Sequence, residues 1–183
     1  MLEMRIHGYG GQGIVTLAQM LAAAALKTGK QVQALPSFGV ERRGAPVVAA
    51  VRIDDNEIWA RSQSYQPDLV LVLSSKLLDM MAEQGLKDDS QIILNAVNKD
   101  DIPTQYSNLD IKIIDITGLA VDNGLIIMDV PSVNVPSFGA FGYAIGLPLD
   151  KIQEVIMEKW PGEIGTKSAQ VAAKAYEIMQ GRG

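Results

Sequence analysis

Short unbroken apolar runs alternate along the chain with longer stretches whose apolar residues recur at helical spacing. Met4–Gly8 and Leu69–Leu73 (LVLVL) have the continuous apolar character of strands buried on both faces. Gln31–Leu35, Pro46–Ile53, Gln91–Asn95 and Ile111–Ile116 read as further strands. Gly13–Lys27, rich in Ala, Leu and Met and nearly apolar all round, predicts a buried helix ended by Gly29. Ser75–Gln84 predicts an amphipathic helix closed by Gly85. Thr117 is expected to cap a short helix whose length Gly124 limits, just before the apolar LIIM. Pro148 suits the start of a helix over LDKIQEVIMEKW, and Thr166–Gln180 predicts the last one. Asp54-Asp55-Asn56 is expected to turn the third strand back into EIWA. The order is that of a single α/β domain over residues 1–183. Its sheet is expected to be doubly wound, mostly parallel and Rossmann-like, with an antiparallel hairpin inserted.

Within VNVPSFGAFGYAIG, Gly139, Gly142 and Gly146 are three and four residues apart, a face that lets a helix approach another backbone closely. Composition narrows the chemistry further. The 183 residues are 48% hydrophobic and 20% charged, with a net charge of −5, so a surface that tracks nucleic-acid phosphates is not expected. No apolar run is long enough to span a bilayer, and MLEMRIHGYGG lacks the pattern of a signal peptide, so the expected location is the cytoplasm. There is no cysteine and only one histidine, His7, inside a predicted buried strand. Thiolate-held iron–sulfur clusters, disulfides and a cysteine nucleophile are therefore excluded in this chain. Trp59 and Trp160 read as core or interface residues, with no basic stripe beside them to make a stacking platform for bases.

Two stretches carry candidate chemistry. In RIHGYGGQGIVTLA, Gly8, Gly10 and Gly13 fall at the G-x-G-x-x-G spacing of a dinucleotide turn, with Gly11 and Gln12 between them. A nicotinamide site also needs an acid at the end of the second strand to hold the ribose, and there the chain reads Gln33-Ala34-Leu35-Pro36. Ile14-Val15 replaces the Lys-Ser/Thr of a phosphate loop. The turn is thus open to three uses: a nucleotide site, an anion or coenzyme A site on the helix N-terminus, or a structural or subunit contact. The second stretch is LPSFGVERRGAPV. Loops after adjacent parallel strands share one sheet edge, so Arg42 and Arg43 are expected near the glycine turn as an anion pocket, with Ser37 alongside. The alternative is a surface loop in which Glu41 pairs with an arginine, or, with Phe38, a partner interface.

Together, GYGGQGIVTLAQMLAAAALKTGK and PSFGVERRGAPVVAAVRI closely resemble the gamma subunit, or gamma domain, of the 2-oxoacid:ferredoxin oxidoreductases. The resemblance continues through QPDLVLVLSSKLL, QIILN and NVPSFGAFGYAIGLPLDKIQEVI, nearly the whole chain. It implies an α/β subunit of a complex that decarboxylates a 2-oxo acid on thiamine diphosphate with Mg2+. That complex passes electrons through [4Fe–4S] clusters to ferredoxin and forms an acyl-CoA. It also implies that this chain is inactive alone and carries no cofactor itself, its partners being the alpha, beta and delta-type subunits. Gly8, Gly10, Gly11, Gln12, Gly13, Ser37, Arg42 and Arg43 are then candidates for the coenzyme A side, and Phe38, Glu41, Asn134 and Phe138 for subunit contacts. The ERRGAP form resembles pyruvate- and 2-ketoisovalerate-type members more than 2-oxoglutarate-type ones. In isolation, a homodimer through surfaces meant for other subunits is expected. The rival reading from the glycine turn alone is a self-contained NAD(P)- or flavin-dependent oxidoreductase.

Overall fold

The computed structural model describes residues 1–37 (for Pro36 and Ser37 the backbone only), 44–60, 62 and 64–181. Strands β1 (Leu2–Tyr9), β2 (Gln31–Ser37), β3 (Pro46–Asp54), β4 (Leu69–Val72), β5 (Gln91–Asn95) and β6 (Ile111–Ile114) form one sheet in the order β2-β3-β1-β4-β5-β6. β1–β4, β4–β5 and β5–β6 pair in parallel, whereas β3 is antiparallel to both its neighbours, β1 and β2. The antiparallel hairpin is therefore β2–β3, not β3 with EIWA. Residues 57–60 form no strand, because β3 already has neighbours on both sides. A second, two-stranded sheet joins β7 (Ile126–Ile127) to β8 (Val130–Pro131).

Helices cover both faces. On one face α1 (Ile14–Leu26), α4 (Asn134–Ala144), α5 (Leu149–Lys159) and α6 (Glu163–Met179) bury Met4, Ile6, Val51, Leu71 and Ile93. On the other, α2 (Leu78–Glu83) and the 3-10 turn before it pack Leu77, Leu78 and Met81 on Val70, Val72, Ile92 and Leu94. The apolar runs of β4 and β5 have their cause here: each residue must satisfy one face or the other. α3 (Ile116–Asp122) is capped by Asp115, whose carboxylate accepts from the Gly118 N–H at 2.7 Å, so Thr117 is not the cap. It lies inside the helix instead, and its N–H donates to Asn95 Oδ1.

α4 and α6 pack at close range. A Cβ on Gly139 would stand 1.9 Å from the Ala172 carbonyl oxygen, so only glycine lets the two backbones meet there. The predicted packing face extends to Gly142, which lies against Ile152. Gly146 falls beyond the end of α4 with φ +72 and ends it rather than packing it.

Two buried guanidiniums tie the irregular segment after β3 to the sheet. All five N–H donors of Arg5 are used: Nε to His7 Nε2 (2.8 Å), and the rest to the carbonyls of Ser64, Met81, Gln84 and Gly85. Arg52 pairs with Glu3 at 2.8 Å and also holds the carbonyls of Ala60 and Ser62. Burial lowers Arg5 to about 10. Burial, with Arg5 alongside, pushes His7 down to about 3. Because its Nε2 accepts from Arg5, His7 is neutral and structural, and it is unsuited to proton transfer near neutral pH.

Gly139→Val forces α4 and α6 apart and destabilises the fold by about 3 kcal/mol, or prevents folding, as read by urea unfolding. His7 stays neutral in the folded chain while the unfolded chain takes up its proton below about 6.5, so stability falls as the pH drops through the window from 6.5 toward 3. The contribution is full above the unfolded value and its loss approaches about 1.4 kcal/mol per pH unit inside the window. His7→Gln removes that part of the slope between pH 6.5 and 5; an unchanged slope in chemical denaturation would refute the assignment.

Candidate functional site

Strand β1 runs directly into the glycine turn. The turn is closed internally by the Gln12 side chain, whose Oε1 accepts the Tyr9 N–H at 2.7 Å, and by the Gln12 N–H bonded to Tyr9 O at 3.1 Å. It is closed externally by the chain entering β3: the Gly10 N–H donates to Ala45 O at 2.9 Å and the Gly44 N–H to Gly10 O at 3.3 Å. Gly44 and Ala45 thus lie against the turn, although the strand order differs from the one the sequence led us to expect. β2 is not beside β1; β3 lies between them and carries the chain back. Two of the turn's N–H groups, those of Gly10 and Gln12, are consequently spent on the fold rather than offered to a ligand.

Gly13 has φ +73 and sits where α1 begins, and among the described residues no side chain caps the helix. Asn134, at the start of α4, lies against Gly13: a Cβ there would be 2.9 Å from its Nδ2. Asn134 is only 7% exposed, and its Oδ1 accepts from Ser132 Oγ at 2.8 Å, which leaves Nδ2 as the free end of the amide. Asn134 therefore lines the space in front of the glycine turn.

A cavity of about 490 Å3 opens here. Gly10–Gly13 and Thr16 form its floor, Asn134 and Ser132 one side, Ile127, Met128, Val130 and Pro131 of the β7–β8 hairpin a second, and Lys159 with Trp160 a third. Lys159 is the one charged residue among the described residues that line it, in a chain whose net charge is −5. Its Nζ stands 5.6 Å from the Trp160 ring centre, an arrangement in which the ring face steadies the cation. A helix N-terminus with no acidic residue in its first turn, an amide donor and a lysine suit an anion. The hairpin turn itself is strained: Met128 (φ 50) and Asp129 (φ 62) both take left-handed backbone where Asn-Gly is favoured, at about 1–2 kcal/mol for a residue such as Met.

The predicted residues separate. Gly10, Gly11, Gln12, Gly13 and Asn134 converge on the cavity. Gly8 is set back within β1, where a Cβ would strike the side chains of Ile14 and Gln12, so its place is packing rather than lining. Phe138, expected at a subunit contact, is wholly buried on the core face of α4. Ser37 contributes its backbone to β2 opposite Val48. Phe38, Glu41, Arg42 and Arg43 lie outside the described residues. Lys159, Trp160 and the hairpin were missed as lining, since they are about 115 to 150 residues from the turn in sequence and only the packing of α1 on α5 and α4 brings them near. Among the described residues no group of three or more His, Cys, Asp or Glu could hold a metal ion, and no helix is long and apolar enough to cross a membrane.

The fold is an α/β domain whose glycine turn, of dinucleotide-binding type, opens onto a cavity suited to an anion. The chain belongs to the pyruvate ferredoxin/flavodoxin oxidoreductase family, whose model matches residues 3–178. It is 44% identical to pyruvate synthase subunit PorC of Methanocaldococcus jannaschii, over 98% of this chain and 97% of that one. It is equally 44% identical to the pyruvate/ketoisovalerate oxidoreductases common subunit gamma of Thermococcus kodakarensis, over 96% of each. The crystal structure of pyruvate oxidoreductase subunit PORC from Thermotoga maritima superposes with a TM-score of 0.80 at 31% identity, covering 96% of this chain and 95% of that one. Along its full length the chain therefore corresponds to a gamma subunit of a pyruvate- or ketoisovalerate-type ferredoxin oxidoreductase.

Gly13→Ala forces an L residue into left-handed backbone against Asn134, with an expected loss of about 1–2 kcal/mol in thermal or urea unfolding. A variant as stable as the parent would show that the turn relaxes without cost.

Proposed function

We propose that this chain, a single domain, completes a cytoplasmic 2-oxoacid:ferredoxin oxidoreductase acting on pyruvate or 2-ketoisovalerate, and that its glycine-turn cavity faces coenzyme A. The partners are alpha, beta and delta-type chains. Oxidative decarboxylation of the 2-oxo acid to acyl-CoA and CO2, with electrons passed to ferredoxin, requires thiamine diphosphate, Mg2+ and [4Fe–4S] clusters. With no cysteine of its own this chain lacks the thiolate ligands for such clusters, and in this reading the clusters, thiamine diphosphate and Mg2+ are all held by the other subunits and the chain alone is inactive. The observation that carries the coenzyme A reading is the cavity: the N-terminus of α1, the Asn134 amide and Lys159 converge on one space with no carboxylate among the described residues that line it. Arg42 and Arg43, which precede Gly44 in the sequence, supply further cationic groups in this reading. The nicotinamide alternative is disfavoured because β3 occupies the place beside β1 where the ribose-binding acid would stand.

The test is anaerobic affinity purification of the chain from its own cells, then an assay of 2-oxoacid- and CoA-dependent reduction of a viologen dye. Co-purification of thiamine- and cluster-bearing chains with CoA-dependent activity is expected. Changing Arg42 and Arg43 together to Ala raises the KM for CoA or weakens assembly. Recovery of the chain alone from active extracts, or tight binding of NAD(P) or flavin to it, overturns the proposal.

A further inference from the structure

The β7–β8 hairpin combines three properties that the fold alone does not require. Its turn holds Met128 and Asp129 in left-handed backbone, although neither is glycine or asparagine. It leaves Ile127 and Met128 61% and 77% exposed. And it is locked to the cavity rather than hanging free: the Ser132 N–H donates to Leu125 O at 2.7 Å across its base, while Ser132 Oγ fixes the Asn134 amide. Residues on both arms of the hairpin line the cavity, together with Met128 at its tip; Asp129 does not. Strain held in place by its surroundings, with apolar side chains turned to a cavity, is the signature of a positioned wall.

Resting on the coenzyme A reading above, we infer that this hairpin is the specificity-determining wall of the cavity. Met128 and Ile127 pack along the extended arm of a thiol co-substrate whose phosphate end sits at the N-terminus of α1 against the Asn134 amide. The helix terminus does not stand alone in this assignment, because Asn134 is more than nine-tenths buried and its Nδ2 donates to no protein group among the described residues. The division of labour is between charge and shape. The floor selects a phosphate, and the hairpin selects the length and apolarity of the arm attached to it. Ser132 couples the two, since it belongs to the hairpin's base and orients the amide.

The experiment uses the assembled oxidoreductase carrying Met128→Asn with Asp129→Gly, a pair that suits the turn and so keeps the hairpin while removing its apolar tip. The KM for CoA and the affinity for desulfo-CoA are expected to weaken about tenfold, with kcat and the melting temperature not lowered. Met128→Leu, which keeps an apolar side chain at the tip, should leave both close to the parent values. Asn134→Leu tests the underlying reading separately. A shift with Asn134→Leu and none with the hairpin pair overturns the hairpin assignment alone. No shift with either overturns both. Loss of subunit association in the hairpin pair, with CoA kinetics intact in what still assembles, makes the hairpin a protein contact and overturns the inference.

Discussion

Pairing of β1 on both sides is the constraint on which the rest of the site depends. Along its length it meets antiparallel β3 on one side, from Leu2 opposite Ile53 to Tyr9 opposite Pro46, and parallel β4 on the other. The β1–β3 ladder does not stop where the strands do. The Gly10 N–H and carbonyl continue it to Ala45 and Gly44, so the glycine turn is an extension of the sheet. A turn anchored this way cannot swing, and it aims the first turn of α1 in a fixed direction. Gly13, in left-handed backbone, makes the remaining change of direction into the helix.

This arrangement explains why a dinucleotide-type spacing does not bring a nicotinamide site with it. In an ordinary doubly wound half, the helix after the turn returns to a strand beside the first, and that strand's end holds the ribose. Here α1 returns to β2, one place farther out, with β3 filling the gap. The turn keeps its uncapped helix end but loses the neighbouring carboxylate position, and two of its own N–H groups go to hydrogen bonds within the fold. What survives is a helix N-terminus beside an amide donor, an arrangement that suits an anion.

The range of each interaction decides how much of this was legible in the sequence. The strands LVLVL and QIILN and the helix α1 were legible because burial on two faces, or all round, dictates residue type at every position. The glycine spacing in α4 was legible for a similar reason, since backbone contact with α6 admits nothing larger at Gly139. EIWA was misread as a strand because its alternation is local, whereas the neighbour β3 takes is set by β1, over forty residues away. Thr117 and Asp115 are both acceptable caps on sequence, and only backbone geometry decides between them. The β7–β8 hairpin escaped notice because Met128-Asp129 lacks the Asn-Gly or Asp-Gly pair that announces a two-residue turn. Asn134 was visible as a polar residue before Pro136, but its position against Gly13 depends on the packing of α4 on α1.

The molecule also divides its precision unevenly, and the division has a physical logic. On the face of the sheet that carries α2, Arg5 and Arg52 satisfy their guanidiniums mostly with carbonyls and one carboxylate, pinning a segment that has no regular structure. Such buried cations tolerate little movement, because any lost partner leaves a desolvated donor unpaired. Beside α1, by contrast, the Lys159 cation rests on an aromatic face, the Asn134 amide has a free donor, and apolar side chains stand in the open on a strained turn. Those groups are held in place by the rigid parts without being consumed by them. A free donor, a positive charge and apolar side chains around one cavity make an arrangement that suits an anion with an apolar arm. The closed networks around the two arginines keep the elements that carry them in register.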